Sequence, residues 1–317
     1  MIFEDINYDF VSEIKDNVLG EIKINESMKK HTTFHIGGYA KYFVTAVSVE
    51  DLRQIIRITK KYNIKRYILG NGSNVLVNDD GLDGMVIKIG IIDLELTLRE
   101  EVNEKSGENE TFYLLKAYSG ASIKSVILKA SELGIGPVSN IYGIPGTVGG
   151  ALIMNAGAFD LEMKDIVFES EYMDLDGVLH TIDLGRHNFG YRKSVFKNSE
   201  NIIVSTTFKF KKVDKEEQLK HMDYIINRRK KYQPLEWPSA GSTFKRGEDY
   251  IVSLLIDECN LKGKSVGGAM VSTKHAGFVI NRGDAKAKDV LELVSKVKEI
   301  VLKEKGKEID LEVIILD

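Results

Sequence analysis

Apolar positions along this chain recur with two periods, and the changes between them mark the expected elements. Ser48-Val-Glu-Asp51 has the form of a capping start, after which Leu52, Ile55, Ile56 and Thr59 line one face of a helix running to about residue 62. Residues 122–133 show the same period and are closed by Gly134, a residue suited to the left-handed conformation of a helix end. Further helices are predicted at 215–231, basic and polar and stopped by Pro234 and Pro238, at 250–258, and at 285–305. Short β-branched or alternating runs predict strands at 67–69, 75–77, 85–89, 91–98, 112–118, 166–174, 178–182, 202–210, 269–272, 277–281 and 308–316. The charged, apolar-poor run 100–110 predicts a solvated hairpin tip. The basic helix reads as a boundary. It divides a nucleotide-binding part, ending at about 212, from a smaller α+β domain, and ligands favour such junctions.

The nucleotide expectation comes from glycines. Between the runs 67–69 and 75–77 stands the turn Gly70-Asn-Gly-Ser-Asn74. Gly and Asn tolerate positive φ, so such a turn can point successive backbone N–H groups inward as an anion-binding concavity, with Ser73 and Asn74 adding side-chain donors. A ligand-free hairpin loop is the alternative. A second segment, Gly143-Ile-Pro-Gly-Thr-Val-Gly-Gly-Ala-Leu-Ile-Met-Asn-Ala-Gly-Ala158, carries five more glycines. It has neither the Rossmann spacing nor a Walker lysine, so a dinucleotide would have to bind through two loops distant in sequence. Glycines that merely let a helix approach a sheet are the competing account.

Composition removes several classes. At 317 residues, 43% hydrophobic and 29% charged, the chain is long enough for two domains with full cores. A net charge of −3 gives no reason to expect nucleic acid or an anionic membrane as partner. The start, Met1-Ile-Phe-Glu-Asp5, is acidic and no apolar run approaches membrane-spanning length, so a cytoplasmic protein without membrane insertion is expected. The single cysteine, Cys259, excludes an intramolecular disulfide and reads as a small packing residue. His31 and His35 lack a third neighbouring ligand, and no metal site is expected.

Three further spots carry candidate chemistry. In Phe189-Gly-Tyr-Arg-Lys-Ser-Val-Phe-Lys197, Arg192 stands among aromatic residues, where a partly desolvated guanidinium can bind a carboxylate through two parallel hydrogen bonds; a structural ion pair is the equal alternative. In Pro238-Ser-Ala-Gly-Ser-Thr-Phe-Lys-Arg246, small residues form a tight turn presenting Ser242 ahead of Lys245 and Arg246. No His or carboxylate stands at nucleophile-elbow spacing, so Ser242 suits proton donation to a strongly basic centre, with an ordinary Ser/Gly turn as the alternative. In the last strand, alternation puts Leu311, Val313 and Ile315 on one face and Asp310, Glu312 and Ile314 on the other. Glu312 is either a solvated outer residue or, if both faces are covered, a site residue.

These segments together resemble the UDP-N-acetylenolpyruvoylglucosamine reductases of bacterial peptidoglycan synthesis. The resemblance runs from about Lys30 to Asp317, through His31-Thr-Thr-Phe-His-Ile-Gly-Gly38, Leu69-Gly-Asn-Gly-Ser-Asn-Val-Leu76, Ile144-Pro-Gly-Thr-Val-Gly-Gly-Ala151, Met154-Asn-Ala-Gly-Ala158, Gly190-Tyr-Arg-Lys-Ser194, Ser239-Ala-Gly-Ser-Thr-Phe-Lys245 and Leu311-Glu-Val313. It implies an α+β chain: an N-terminal segment at 1–30, a two-subdomain FAD-binding fold of the vanillyl-alcohol-oxidase/PCMH type at 31–212, split near 90, and a substrate-binding domain at 213–317. It implies noncovalent FAD and NADPH, with UDP-N-acetylglucosamine enolpyruvate reduced to UDP-N-acetylmuramate. Hydride would come from flavin N5 and a proton from Ser242, while Arg192 binds the substrate carboxylate and Glu312 helps stabilise the enolate. FAD would be held by Gly70, Asn71, Gly72, Ser73, Asn74, Ile144, Pro145, Gly146, Thr147, Gly149, Gly150, Asn155 and Gly157. Tyr191, Lys245 and Arg246, with the basic run Arg228-Arg-Lys-Lys231, are implied for the substrate. The short stretch between Arg192 and Ser242 matches the compact subtype, so no lid tyrosine is assigned, and Phe159-Asp160 stands where the family commonly has Tyr-Gly. Competing readings are an FAD oxidase of the same fold, linked covalently through His31 or His35, a non-catalytic flavin-binding protein, and a hydrolase built on Ser242.

Overall fold

The computed structural model describes residues 2–102 and 109–317. Three layers follow one another along the chain. The first contains α1 (Tyr8–Asn17), β1 (Ile22–Ser27), β2 (Tyr39–Ala46), α2 (Val49–Lys61), β3 (Arg66–Leu69), β4 (Val75–Val77) and β5 (Leu82–Ile89). Its sheet runs β1-β2-β5-β3, with β1 antiparallel to β2, and β2 and β3 both parallel to β5. Ser48 caps α2 by accepting the Asp51 N–H at 3.0 Å, and Leu52, Ile55 and Ile56 of that helix pack on Tyr42, Val44, Met85 and Ile87. The N-terminal segment expected at 1–30 joins this layer from Tyr8 onward: Phe10, Val11 and Ile14 of α1 lie in this same core, and β1 is the sheet's edge strand.

The second layer comprises β6 (Leu94–Val102), β7 (Asn109–Tyr118), α3 (Ile123–Leu133), β8 (Ile135–Gly136), α4 (Val148–Ile153), β9 (Gly157–Ala158), β10 (Leu161–Glu162), β11 (Val167–Met173), β12 (Leu179–Asp183), β13 (Ile202–Lys212) and α5 (Lys215–Tyr232). Its antiparallel sheet runs β12-β11-β13-β7-β6, with β8 added to β13. The hairpin β6–β7 is in register as far as Val102 opposite Asn109, so the ends of the run 100–110 expected as a solvated tip are paired strand, and its remainder, 103–108, lies outside the described residues. Helix α3 ends at Gly134 with φ +64, as its sequence required. Helix α5 belongs to this layer, since Met222 lies in its core and Gln218 Nε2 donates to Ser131 Oγ and Ile135 O. The expected division at 212 therefore moves to the end of α5.

The third layer holds α6 (Val252–Glu258), β14 (Ser265–Val266), β15 (Ala269–Val271), β16 (Val279–Asn281), α7 (Ala287–Lys305) and β17 (Ile314–Leu316). Val290, Leu293, Val294 and Val297 recur at helical spacing on α7 and pack with Ile256, Val271 and Val279; Phe34, Ile36 and Leu76 from the first layer join that core.

The last strand departs from expectation. Only 314–316 is strand, running parallel to β4 with Ile314 opposite Val75, and Ile315 is exposed while Ile309 and Val313 are buried. The chain changes partner on the way. Lys245 N donates to Asp310 O and Glu312 N donates to Thr243 O, and then Ile314 N donates to Asn74 O. A segment passed between two partners cannot keep one alternation, so the predicted faces break at Val313. Among the described residues no helix is long and apolar enough to cross a membrane.

Candidate functional site

The two glycine loops meet. The first joins β3 to β4 and is pressed against residues 31–33: Gly72 has φ +61, a Cβ there would stand 2.1 Å from His31 O, and Thr33 N donates to Gly72 O. A Cβ at Gly70 would lie 2.4 Å from Thr147 Oγ1, so the second loop touches the first directly. That second loop is bonded to the turn before α3: Ile123 N donates to Gly146 O, Val148 N to Ala121 O and Gly149 N to Ser119 O. Thr147 Oγ1 accepts the Gly150 N–H. The first N–H groups of α4 are thus already satisfied, and this helix end is not itself the anion site. The N–H groups of Asn71, Gly72, Ser73, Gly146 and Thr147 have no acceptor among the described residues.

The space between the loops is kept open by missing side chains. A Cβ at Gly146 would have only Ser73 Oγ within 4 Å, at 3.5 Å, and a Cβ at Gly150 only Thr147 Oγ1, at 3.6 Å. Larger residues would fit the backbone there and fill the gap. Unused donors on both loops, with a gap cleared of side chains, fit the pyrophosphate of FAD. Ile144 packs into the second-layer core behind the loop. Asn155 and Gly157 have other roles than lining the gap. Asn155 is fully buried, its Nδ2 donating to Glu162 Oε2 and Gly190 O and its Oδ1 accepting from Lys164 N, while Gly157 is confined by Leu161 O in the β9–β10 hairpin. Phe159 and Asp160 both have positive φ, +49 and +63, a conformation that glycine would adopt with less strain.

Arg192 sits at the tip of a tight turn in which Gly190 and Lys193 exchange backbone hydrogen bonds, and its φ is +53. Several independent bonds hold the turn in this shape. Asn155 grips Gly190 O, Ser194 Oγ donates to Ile153 O, and Lys197 Nζ donates to Arg192 O at 2.9 Å. The guanidinium lies 4.8 Å from the Tyr191 ring, and its Nε donates to Glu312 Oε1 at 2.6 Å. Both side chains are largely covered, 19% exposed for Arg192 and 13% for Glu312, so the pair is a short charge-assisted bond in a partly dry setting. With Nε taken, Nη1 and Nη2 are left for a second carboxylate.

The turn that carries Ser242 joins the Glu312 segment from the third layer, through Thr243 O accepting from Glu312 N. Thr243 is anchored from three sides: its N donates to Gly277 O, its Oγ1 accepts from Val279 N and its O accepts from Glu312 N. Thr33 Oγ1 donates to Ser239 O at 2.7 Å, tying the turn to the first glycine loop's neighbour. Ser242 is half-buried between these anchors, after Gly241 with φ +74, and its hydroxyl has no partner among the described residues. Arg246 N donates to Tyr191 Oη, and Asn74 Nδ2 donates to Glu312 O. Three segments about 50 to 70 residues apart and the first glycine loop are thereby joined by hydrogen bonds. Lys245 lies 3.8 Å from Asp310.

Some of the site escaped the sequence. Nothing in the sequence singles out Lys197 beyond its place in the aromatic-rich run around Arg192; burial, with the Lys245 charge adding to it and Glu312 opposing, holds its ammonium below the usual lysine range. Of the basic run, Arg228, Lys230 and Lys231 are exposed, whereas Arg229 is buried under the second loop. His31, weighed as a covalent flavin link, is instead bonded to Glu26 at 2.9 Å and stacked on Phe43. Among the described residues no group of three or more His, Cys, Asp and Glu side chains converges on a metal position.

Comparison with known proteins identifies the family and the fold. Residues 40–183 match the FAD binding domain profile, and residues 233–316 match the profile of the UDP-N-acetylenolpyruvoylglucosamine reductase C-terminal domain. The UDP-N-acetylenolpyruvoylglucosamine reductase of Agathobacter rectalis is 39% identical over 310 residues, covering 97% of this chain and 98% of its own. That of Clostridium beijerinckii is 40% identical over 286 residues, 90% of each chain. The crystal structure of the Thermus caldophilus enzyme superimposes with a TM-score of 0.75 at 31% identity, over 94% of this chain and 99% of that one. The first two layers are therefore the two halves of an FAD-binding fold, and the chain belongs to the UDP-N-acetylenolpyruvoylglucosamine reductase family.

Proposed function

We propose that this chain reduces the enolpyruvyl ether of UDP-N-acetylglucosamine enolpyruvate to the lactyl ether of UDP-N-acetylmuramate, with FAD across the glycine loops and NADPH as reductant. The observation that carries the reading is the Arg192–Glu312 bond beside a partnerless Ser242 hydroxyl. FAD, when bound, supplies the two-electron hydride chemistry that no side chain offers. Arg192, held through Nε by Glu312, presents Nη1 and Nη2 to the enolpyruvyl carboxylate and stabilises the negative charge that spreads into it. Ser242 then donates its proton to the carbon next to that carboxylate. A hydroxyl is a weak acid, and the cationic surroundings of Arg192, Lys197, Lys245 and Arg246 offset the alkoxide that remains. Tyr191, fixed through Arg246 N, and the side chains of Lys245 and Arg246 are the groups proposed to orient the substrate.

The test is anaerobic spectroscopy of the purified protein. NADPH is expected to bleach the flavin band and the enolpyruvyl sugar to restore it. Bleaching without restoration by that sugar would reject the assignment, and a colourless protein that takes up no FAD would reject the flavin reading altogether.

A further inference from the structure

Arg192 has a left-handed backbone, φ +53, a conformation that costs an arginine more than a glycine. The position nevertheless needs the side chain, whose Nε donates to Glu312 Oε1 at 2.6 Å. The strain must therefore be held from outside. Asn155 grips Gly190 O and Ser194 Oγ donates to Ile153 O, so these two fix the flanks of the turn. The bond on Arg192 itself comes from Lys197, whose Nζ donates to Arg192 O at 2.9 Å. Its own neighbours aim Lys197 at that carbonyl. Lys197 N donates to Ser194 O, and Phe196 before it is buried in the second-layer core.

A lysine is a costly choice for this bond. Its ammonium is half-buried, and burial and the Lys245 charge both disfavour it, with Glu312 opposing. Among the described residues its one side-chain hydrogen bond is the one to Arg192 O. A neutral side chain could make one hydrogen bond without that penalty, so a cation at this place points to the anion that the turn receives. We propose that Lys197 is a positioning residue: by holding Arg192 O it fixes the guanidinium beside Glu312 and so sets the affinity for the carboxylate of the enolpyruvyl group. The inference rests on the proposed function, which supplies that carboxylate. Lys197 acts through Arg192, and on the enolpyruvyl end of the substrate alone.

The experiment uses FAD-loaded wild-type protein with the K197M and K197R variants. The enolpyruvyl sugar nucleotide and UDP-N-acetylglucosamine, which lacks the enolpyruvyl group, are titrated into each without reductant, and crystal structures of the variants are solved. K197M is expected to bind the enolpyruvyl compound about 5- to 50-fold more weakly, and UDP-N-acetylglucosamine within about twofold of wild type. K197R, which keeps a cationic donor, should recover most of the lost affinity. In crystals of K197M, Arg192 should leave its left-handed conformation or lose its bond to Glu312. Unchanged affinity for the enolpyruvyl compound, or an equal loss for both ligands, overturns the proposal. So does a K197M structure in which Arg192 is unmoved, since the lysine would then act only through its charge. A K197M that fails to fold overturns it too, the lysine then being structural. Wild-type protein that does not bind the enolpyruvyl compound counts against the proposed function instead, and the conformation of Arg192 in K197M then decides the role of Lys197.

Discussion

At the scale of single residues the site is an arrangement of groups that are satisfied and groups that are not. Arg192 Nε, Thr243 and Asn155 are fully committed to holding the turns, whereas the Ser242 hydroxyl has no partner among the described residues. That contrast makes Ser242→Ala a clean test. Flavin reduction by NADPH should stay within about threefold of wild type, while reoxidation by the enolpyruvyl sugar should slow by about 10²- to 10⁴-fold. Stopped-flow measurement of the two half-reactions checks it, and equal slowing of both would remove Ser242 from the proton-donor role. The sequence had left Arg192 undecided between carboxylate binder and structural ion pair. The structure shows the ion pair with Glu312, and the free Nη atoms leave the other role open to the same side chain.

At the scale of elements, the glycine loops are of two kinds. Gly72 is glycine because the backbone demands it, with φ +61 and the His31 carbonyl in contact range. Gly146 has neither constraint, since a Cβ there would meet only Ser73 Oγ, at 3.5 Å. The two should therefore respond oppositely to substitution. Gly72→Ala is expected to lower the stability of the flavin-free protein by about 1–3 kcal/mol, as a side chain is forced into a left-handed, crowded position. Gly146→Val should leave that stability within about 0.5 kcal/mol and weaken FAD binding at least tenfold. Thermal melts of the stripped variants with FAD titrations separate the two, and equal destabilisation would mean that the gap between the loops is closed. Helices α2 and α3 were legible nearly to the residue, because their caps and apolar stripes are local signals. The last strand was not, because β17 takes its register from β4, some 240 residues earlier.

At the scale of the whole molecule, a buried histidine is expected to make folding pH-dependent. His187 is fully buried, its Nδ1 on Asp183 O and its Nε2 on Ser170 Oγ, and burial chiefly holds its pKa below the usual histidine range; His275 is shifted the same way for the same reason. The sign follows directly. Below about pH 6.5 the unfolded chain takes up a proton that the folded chain refuses, so stability falls as pH drops from there toward the depressed folded pKa. The melting temperature should decline between about pH 7 and 5, and more shallowly in His187→Gln, measured across that range. Identical slopes would show that His187 does not contribute. His187 also stacks on Phe189, at the start of the run that carries Arg192, so this titration bears on the active turn as well as on the fold.

By itself, the sequence determined the local structures and the chemical vocabulary of this protein. Capped amphipathic helices, two glycine loops, and an arginine, a serine and a glutamate in distinctive surroundings all follow from residue type and short-range spacing. Only the tertiary structure decided the assembly. It placed α1 on the first layer's core and β1 in its sheet, set α5 on the second layer, brought Gly70 against Thr147 and Glu312 against Arg192, and put Arg229 under the second loop. The physical reason is range. Caps and periodicity act within a few residues, whereas burial, ion pairing and the register of a strand depend on surfaces that meet only when the chain is folded.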